Sequence, residues 1–288
     1  MRNKNGWGIE TSMLLLPAVI FLLAVFVYPF IYALNLSFTV KGGSGYSIAN
    51  YVKFFTSAIE LKTVWITLVI SVPVTLVTML LAIPIAYYMR NGVKNERLIT
   101  FFLMVPMTLG VVLIAEGMLT YFGRNGWLML LLEAIGLVEE RTGLVHNYWG
   151  VVISLFIQCF PMGLIILIGF TKGIHPSMER AARMLGASRN QVFWRVFFPL
   201  MMPGILIAFC LNFTSAFSVF TSSIMLGQPT STTRVMAYSA YITAYEFFDY
   251  NFSSTICIMM VLIQFVIIGL VFALRNTLYK GASSVGKG

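Results

Sequence analysis

Charged residues are scarce in this sequence. Only 10% of its 288 residues are Asp, Glu, Lys or Arg, whereas a soluble domain carries about 25%. Hydrophobic residues make up 59% of the chain, and the mean hydropathy is +0.87. Because so few charges cannot cover a water-facing surface, the composition excludes a soluble enzyme, a disordered chain and a secreted disulfide scaffold. It predicts a protein that crosses a membrane several times.

Cysteine and histidine are also rare, with three cysteines and two histidines in the chain. Cys159, Cys210 and Cys257 each lie in an apolar run without C-x-x-C spacing, and His146 and His175 are far apart in sequence. We interpret the cysteines as small apolar packing residues and expect no metal site.

A nucleotide site is not expected in this chain either. The tail Gly281–Gly288 matches most of a P-loop, but Gly288 stands where a serine or threonine would bind Mg²⁺, and no strand precedes the motif. No Ser-His-Asp or paired-carboxylate pattern is present. We therefore predict no catalytic residues and no cofactor in this chain.

Long apolar runs are what the sequence has in abundance. A spanning helix needs about 20 apolar residues, and the run after Arg2 and Lys4 is too long for a signal peptide, so we expect it to be retained. We predict an all-α integral membrane protein, with residues 1–288 forming one transmembrane domain. The six predicted spans are about 12–36, 63–89, 98–122, 148–172, 200–226 and 252–275.

The distribution of Lys and Arg predicts the orientation of these spans. If the N terminus is inside, thirteen of the nineteen basic residues lie on the inner side and six on the outer side. Because Lys and Arg are retained on the cytoplasmic side of a membrane, we predict that both termini are cytoplasmic. Residues 173–199 then form a cytoplasmic loop. The basic balance reflects topology, so we expect no nucleic-acid partner.

This cytoplasmic loop is the most informative part of the sequence. Ser177 is placed to cap a short helix that has Glu179 in its first turn, and Gly186 can adopt the left-handed conformation that ends such a helix. Ser188 and Gln191 form a capping box for a second helix. Since spans follow closely on both sides, the unit cannot enter a DNA groove as a helix-turn-helix does. It is either an ordered connector or a docking element for a soluble partner.

The loop resembles the EAA loop of permease subunits of binding-protein-dependent ABC importers. That family's pattern is roughly E-A-A-x-x-x-G-x(9)-I-x-L-P. The following M-P-G-I at Met202–Ile205 is typical of the spermidine/putrescine-type permeases. The resemblance implies a type I ABC importer permease architecture with a cytoplasmic coupling helix. The residues at the matching spacing are Ala181, Ala182, Gly186, Val196 and Pro199.

One position departs from this pattern. Arg180 stands at the glutamate position, and Glu179 lies one residue earlier. One residue in a helix turns the side-chain direction by about 100° around the helix axis. The sequence leaves open which of the two takes the role of the family's glutamate. The resemblance implies an ATPase-coupling role for Ser177, Glu179, Arg180, Ala181, Ala182, Leu185, Gly186 and Pro199.

The resemblance also implies a set of partners. In this family the coupling helix docks on a cytoplasmic ABC ATPase dimer, which binds ATP and Mg²⁺, so this chain would be a transport subunit and not an enzyme. A second homologous permease subunit and a periplasmic or lipid-anchored solute-binding protein complete such importers. Such importers are located in the inner membrane, and this subunit would lie within the lipid bilayer.

A few polar side chains inside the predicted spans are candidates for lining a substrate pathway. Glu116 lies in the outer half of the third predicted span. Because a charge at mid-bilayer costs roughly 2.5–3.5 kcal/mol, Glu116 either faces a cavity or a partner, or is a neutral or interfacial glutamate near the headgroups. Polar residues at helical spacing in the fifth span predict a stripe that either lines the pathway or joins helices. The candidates are Glu116, Gln158, Asn212, Ser215, Ser222 and Gln264.

The favoured interpretation is an importer permease for a polyamine or a similar small organic cation. The same kind of permease for an aminophosphonate, ferric iron, thiamine or an opine-like solute stays open. An ion-coupled secondary transporter would need paired repeats and charged midplane sites, for which Glu116 is the one candidate. A membrane-embedded enzyme would need a catalytic constellation, and the sequence offers none.

Overall fold

The computed structural model of the chain describes residues 9–42, 45–90, 92–136 and 145–278. Within these ranges the backbone is helical apart from turns, short connections and one isolated antiparallel bridge between Thr39 and Tyr46. Among the described residues, six helical segments are long and apolar enough to cross a membrane, which confirms the all-α fold with six spans. We number them spans 1 to 6, and they are Leu16–Ser37, Ala58–Met89, Glu96–Ala134, Tyr148–Lys172, Arg189–Phe217 and Tyr250–Leu274.

Three of the spans are composite. Span 1 lies within Ile9–Leu22, the π turn Leu23–Val27 and Tyr28–Ser37. Span 3 comprises Glu96–Phe122 and Trp127–Ala134, and span 5 comprises Arg189–Val192, the π turn Phe193–Phe197 and Phe198–Phe217. The helix of span 6 runs over Tyr250–Leu278. The shorter helices between spans are Ala49–Thr56, Ser177–Met184, Thr221–Leu226 and Met236–Tyr245.

The chain divides into two compact units, Met1–Leu61 with Ser239–Val261, and Lys62–Tyr238 with Leu262–Gly288. In the first unit, the buried Asn50 amide donates to the Thr39 carbonyl oxygen at 2.8 Å. A buried Glu60 carboxylate accepts from the Ser239 hydroxyl at 2.9 and 3.0 Å. The Glu60–Ser239 bonds join segments that are 179 positions apart in sequence.

The core of the second unit is formed by spans 2, 4 and 5. Its largest fully buried side chains include Leu164, Leu167, Phe197 and Met201. Such helices are apolar on nearly every side, so no amphipathic stripe selects their contact face. Two such helices instead pack together where small residues let their backbones approach each other. At Gly163 of span 4, an added Cβ atom would lie 2.8 Å from Asn212 Nδ2 of span 5.

Span 5 begins earlier than the sequence predicted. We expected Pro199 to begin this helix, but the helix begins at Arg189 and continues through the proline. In the π turn Phe193–Phe197 the Phe198 N–H bonds to the Phe193 carbonyl oxygen, five residues back. Because this wider turn shifts the hydrogen-bond ladder just before Pro199, the missing proline N–H does not end the helix. The prediction was wrong here because the spacing of apolar residues along the sequence does not reveal a π turn.

Span 5 also ends earlier than the predicted limit of 200–226. The helix stops at Phe217, and Phe220 has φ −133° and ψ −64°, outside the helical region. A separate helix, Thr221–Leu226, follows. The apolar composition continues across this break, so hydropathy could not locate it.

Span 3 contains an internal break. Gly110 has φ 74° and ψ 161°, so its backbone is not helical although helical residues flank it. A glycine adopts this conformation without the cost that a Cβ atom would add. The break separates the half of span 3 that carries Glu116 from the half that carries Pro106.

Candidate functional site

The helix Ser177–Met184, which we call the loop helix, begins differently from the prediction. Pro176 occupies the N-cap position, so the expectation that Ser177 caps this helix is wrong. Instead, His175 Nδ1 accepts from the Ser177 backbone N–H at 3.3 Å and pairs with the Ser177 hydroxyl at 2.8 Å. The imidazole therefore satisfies one of the N–H groups that the first turn leaves free.

The loop helix ends at Gly186, as predicted. Gly186 has φ +84°. Its N–H bonds to the Arg183 carbonyl oxygen at 2.9 Å, and the Ala187 N–H bonds to the Ala182 carbonyl oxygen at 3.1 Å, which is a Schellman motif. A Cβ atom added at Gly186 would meet nothing within 4 Å. Backbone conformation, and not crowding, therefore requires this glycine.

The second helix of the loop begins with the predicted capping box. The Gln191 N–H donates to Ser188 Oγ at 3.3 Å, and the Ser188 N–H donates to Gln191 Oε1 at 2.8 Å. The arrangement of helix, glycine turn and helix is thereby confirmed. Because the second helix continues into span 5, it connects the loop helix to that span.

One face of the loop helix is apolar and exposed. Met178, Ala181 and Leu185 follow each other at intervals of three and four residues, so they lie on the same side of the helix. Leu185 and the neighbouring Met184 are 89% and 84% exposed. Ala182 is half-buried and faces the rest of the chain. The exposed apolar face has the shape and chemistry of a docking surface for another molecule.

Glu179 of the loop helix is not on this exposed face. It is buried, and its Oε1 lies 2.8 Å from an Nη1 atom of Arg90, the residue that follows the last helical residue of span 2. The Arg90 side chain is 3% exposed and the Glu179 side chain is 10% exposed. The two atoms are not aligned as a hydrogen bond, so the contact is an ion pair held by charge.

The Arg90 guanidinium also contacts two aromatic rings. Its Cζ atom lies 4.9 Å from the ring centroid of Phe197 and 5.6 Å from that of Tyr87. Phe197 is the last residue of the π turn of span 5 and is fully buried. A guanidinium over an aromatic face gains a cation–π attraction that increases when water is excluded. Arg90 therefore joins span 2, the loop helix and span 5.

Four other basic residues lie on or beside the loop helix. Arg180 is exposed. A cavity of about 330 Å³ is lined by Lys94, Arg183 and Arg189 together with Tyr87 and other residues. Within the described part of the chain these three bases have no acidic partner. They give the surface beside the loop helix a positive charge.

Among the pathway candidates, the structure brings Gln158 and Ser222 together. Gln158 Nε2 donates to Ser222 Oγ at 3.2 Å and to Ser154 Oγ at 3.0 Å, and the two hydroxyls are 3.0 Å apart. Ser154 was not predicted. This cluster joins span 4 to the helix Thr221–Leu226 with uncharged polar groups.

The other polar candidates of spans 5 and 6 make no hydrogen bond to this cluster within the described residues. Asn212 is fully buried and donates to the Ala208 carbonyl oxygen at 2.8 Å, whereas Ser215 is exposed. Ser222 lies beyond the end of span 5, so the expectation of one polar stripe along a single helix face is wrong. Gln264 donates to Ser218 Oγ at 3.3 Å. A pathway role for each of these residues stays a prediction.

Glu116 lies on the outer surface of this chain. It is exposed in span 3, on the opposite side from the buried Ile114, Ala115 and Met118. This position is open to a cavity, a partner or lipid. Its pathway role stays a prediction.

Sequence reasoning missed Arg90 as the partner of Glu179. The two residues are 89 positions apart, and the loop sequence alone contains no sign of that contact. The available signal was indirect: an acidic residue on the buried side of a short helix, at one end of the spans where bases are numerous. A buried charge is normally paired, so this signal called for a base on a neighbouring span.

These features define a class of protein: a multi-span membrane protein with a short helix, exposed on its apolar face, between spans 4 and 5. Over residues 78–283 the sequence matches the family described as a binding-protein-dependent transport system inner membrane component. Because the match covers more than half of the chain, the chain belongs to this family and is a permease subunit of an ABC importer. It is a multi-pass protein of the inner membrane.

Individual relatives agree with this assignment. The chain is 28% identical over 218 residues to the spermidine/putrescine transport system permease protein PotB of Haemophilus influenzae, covering 73% of this chain and 76% of that protein. It is 27% identical over 286 residues to the multiple sugar-binding transport system permease protein MsmF of Streptococcus mutans, covering 96% and 95%.

A solved structure shares the fold. It is the crystal structure of a bacterial alginate ABC transporter in complex with an alginate pentasaccharide-bound periplasmic protein. One of its chains matches with a TM-score of 0.78 at 22% identity, covering 94% of this chain and 95% of that one.

Proposed function

We propose that this permease subunit moves a solute across the inner membrane after an external binding protein delivers it, and that a separate ATPase dimer drives the movement. The observation that carries the proposal is the exposed apolar face of the loop helix, Met178, Ala181 and Leu185. An apolar face of this size suits a shallow groove on a soluble partner. ATP and Mg²⁺ bind on that partner.

Charge supports the same assignment. Lys94, Arg183 and Arg189, which have no acidic partner among the described residues, line a cavity beside the loop helix, so the part of the groove that faces these three bases is expected to be acidic. These bases and both termini then lie on the cytoplasmic side, as the Lys and Arg distribution predicts.

A second, homologous permease subunit completes the pathway. In span 1, the most apolar 18-residue window has no buried residue. Its Phe21 and Phe26 side chains are 64% and 65% exposed, so lipid or another spanning subunit covers them. Glu116 is exposed as well, and a carboxylate within a span is expected to face a cavity or a partner instead of lipid.

The proposed substrate is a polyamine or a similar small organic cation. The spermidine/putrescine permease relative and the carboxylate of Glu116 support it. A second candidate is an oligosaccharide, supported by similarity to the multiple sugar-binding permease along nearly the whole of this chain. The neutral cluster of Gln158, Ser154 and Ser222 suits hydroxyl groups equally well.

Reconstitution of the full importer in proteoliposomes tests the proposal. The permease pair, the ATPase and the binding protein are combined, and ATP-dependent uptake of labelled putrescine, spermidine and maltotriose is compared. Uptake of the amines alone supports the cation, and uptake of the sugar alone supports the second candidate. A single cysteine at Leu185 that forms no cross-link with the ATPase would contradict the docking assignment.

A further inference from the structure

We propose that Arg90 and Glu179 form an internal tether, through which movement of the loop helix is transmitted to spans 2 and 5, and that Glu179 does not contact the ATPase. The proposal rests on the proposed function only in that the loop helix docks on an ATPase. It assigns Arg90 as a positioning residue for energy coupling.

Burial separates Glu179 from any docking partner. Its side chain is 10% exposed and that of Arg90 is 3% exposed, with 2.8 Å between Oε1 and Nη1. An ion pair enclosed in this way is screened little by salt. The neighbouring Arg180 is exposed, because one helical step turns its side chain by about 100°. The two residues thus have separate roles: Glu179 contacts its own chain, and Arg180 is available to a partner.

The position of Arg90 makes the tether a link between three elements. Its backbone N–H bonds to the Ala86 carbonyl oxygen at 3.1 Å, so Arg90 closes the last turn of span 2, where a positive charge suits the helix dipole. Its guanidinium lies over Phe197 at 4.9 Å and over Tyr87 at 5.6 Å. Only a planar guanidinium can both pair with a carboxylate and stack on rings in this way.

The tether explains how a short helix can move two spans together. The loop helix is joined to span 5 through the chain itself, by way of Gly186 and the helix that begins at Arg189. It is joined to span 2 through the Arg90–Glu179 ion pair. A force on the exposed apolar face therefore reaches both spans, although only one is covalently adjacent.

The test compares ATP hydrolysis with transport. In Glu179→Gln and in Arg90→Met the ATPase should stay bound while solute moved per ATP hydrolysed falls about fivefold or more, a typical size for a coupling effect. The exchange Arg90→Glu with Glu179→Arg should recover part of that loss. Glu96→Gln is the matched control: Glu96 pairs with Lys172, but these side chains are 30% and 50% exposed, so water screens the pair and the ratio should not change.

A second variant keeps the test valid if a single substitution prevents folding. Arg90→Met with Glu179→Leu removes both charges, and buried ion pairs often accept apolar replacement without loss of stability. This double variant should fold, bind the ATPase and hydrolyse ATP, yet remain poorly coupled. Unchanged transport per ATP in the folded double variant would overturn the tether.

Two further outcomes separate the roles of Glu179 and Arg90. If Glu179→Gln releases the ATPase while Arg90→Met retains it, Glu179 is a partner contact and the proposal is wrong. Arg90→Lys should keep the charge but recover only part of the coupling, since it loses the ring stacking. The Leu185 cross-link to the ATPase, measured in the same variants, separates failure of the tether from failure of the docking assignment.

Discussion

Glu179 and Arg180 are adjacent in the loop helix but have opposite environments. The sequence left open which of them takes the place of the glutamate in the related motif. The structure places Glu179 in a buried ion pair and leaves Arg180 exposed. No reasoning from the loop alone could distinguish them, because the distinction depends on Arg90, which is distant in sequence.

The exposure of Arg180 leads to a prediction. Arg180→Glu, which restores the motif residue, should leave the ATPase bound and uptake within about twofold, since exposed substitutions change stability by roughly 0.5 kcal/mol or less. Co-purification of the ATPase and initial uptake rates measure this. Arg124→Glu places the same charge reversal on another exposed arginine as a control. Loss of the ATPase from the first variant alone would mean that the groove requires the positive charge.

Gly186 gives a second prediction at this scale. Gly186→Val should impose strain of about 1–3 kcal/mol, because a β-branched residue rarely adopts a φ near +84°. We expect lower uptake with normal membrane insertion. Gly186→Asn is the matched control, since Asn enters the left-handed region more readily. Equal uptake in the valine variant and the wild type would show that the glycine turn is not needed for coupling.

At the scale of helices, apolar runs predicted that six spans exist but not how each is built. The runs near 63–89 and 148–172 became single helices that continue through Pro73, Pro84 and Pro161, because a proline inside a spanning helix removes one backbone hydrogen bond without ending the helix. The run over 200–226 did not form a single helix. Its break near Phe220 and the π turn before Pro199 depend on backbone hydrogen bonding, which hydropathy does not report. The non-helical Gly110 was missed for the same reason.

The contact between spans 4 and 5 at Gly163 can be tested directly. An added Cβ atom would lie 2.8 Å from Asn212 Nδ2 and 2.9 Å from Met79 Cε, so Gly163→Val should destabilise the protein by about 1–3 kcal/mol through overpacking. Thermal unfolding in detergent measures the loss. Gly169→Val is the control on the same helix, where an added Cβ atom meets nothing within 4 Å. Equal stability of the two variants would contradict the packing assignment.

At the scale of the whole molecule, a single permease chain leaves a large apolar surface exposed. Much of its apolar surface, including span 1, has no cover within the chain. The sequence predicted spans and a docking loop because both are local patterns. It could not predict a pathway, because in the proposed pair of permease subunits the surroundings of a residue such as Glu116 depend on the second subunit, which this sequence does not contain.

Glu116 provides the prediction for the assembled importer. If the substrate is a cation, Glu116→Gln removes an attraction of roughly 4 kcal/mol for charges about 4 Å apart at an effective dielectric near 20. Because water screens most of that attraction at an exposed side chain, uptake should fall several-fold, with assembly and the affinity of the binding protein unchanged. Uptake kinetics and size-exclusion profiles measured side by side check this. Unchanged uptake would remove Glu116 from the pathway, and with it the residue-level support for a cationic substrate.

The π turn Phe193–Phe197 sets a limit on how this loop can change in length. A π turn holds one residue more than an α-helical turn, so deleting any residue within it would restore a regular helix. Everything before it would keep nearly the same direction around the axis of span 5, because the wider turn takes up the extra residue within one turn. A residue inserted or deleted between Gly186 and Val192 meets no such turn and would rotate the loop helix by about 100°, so that another face points outward. Length changes between Gly186 and Val192 should therefore be tolerated far less than a deletion within the π turn.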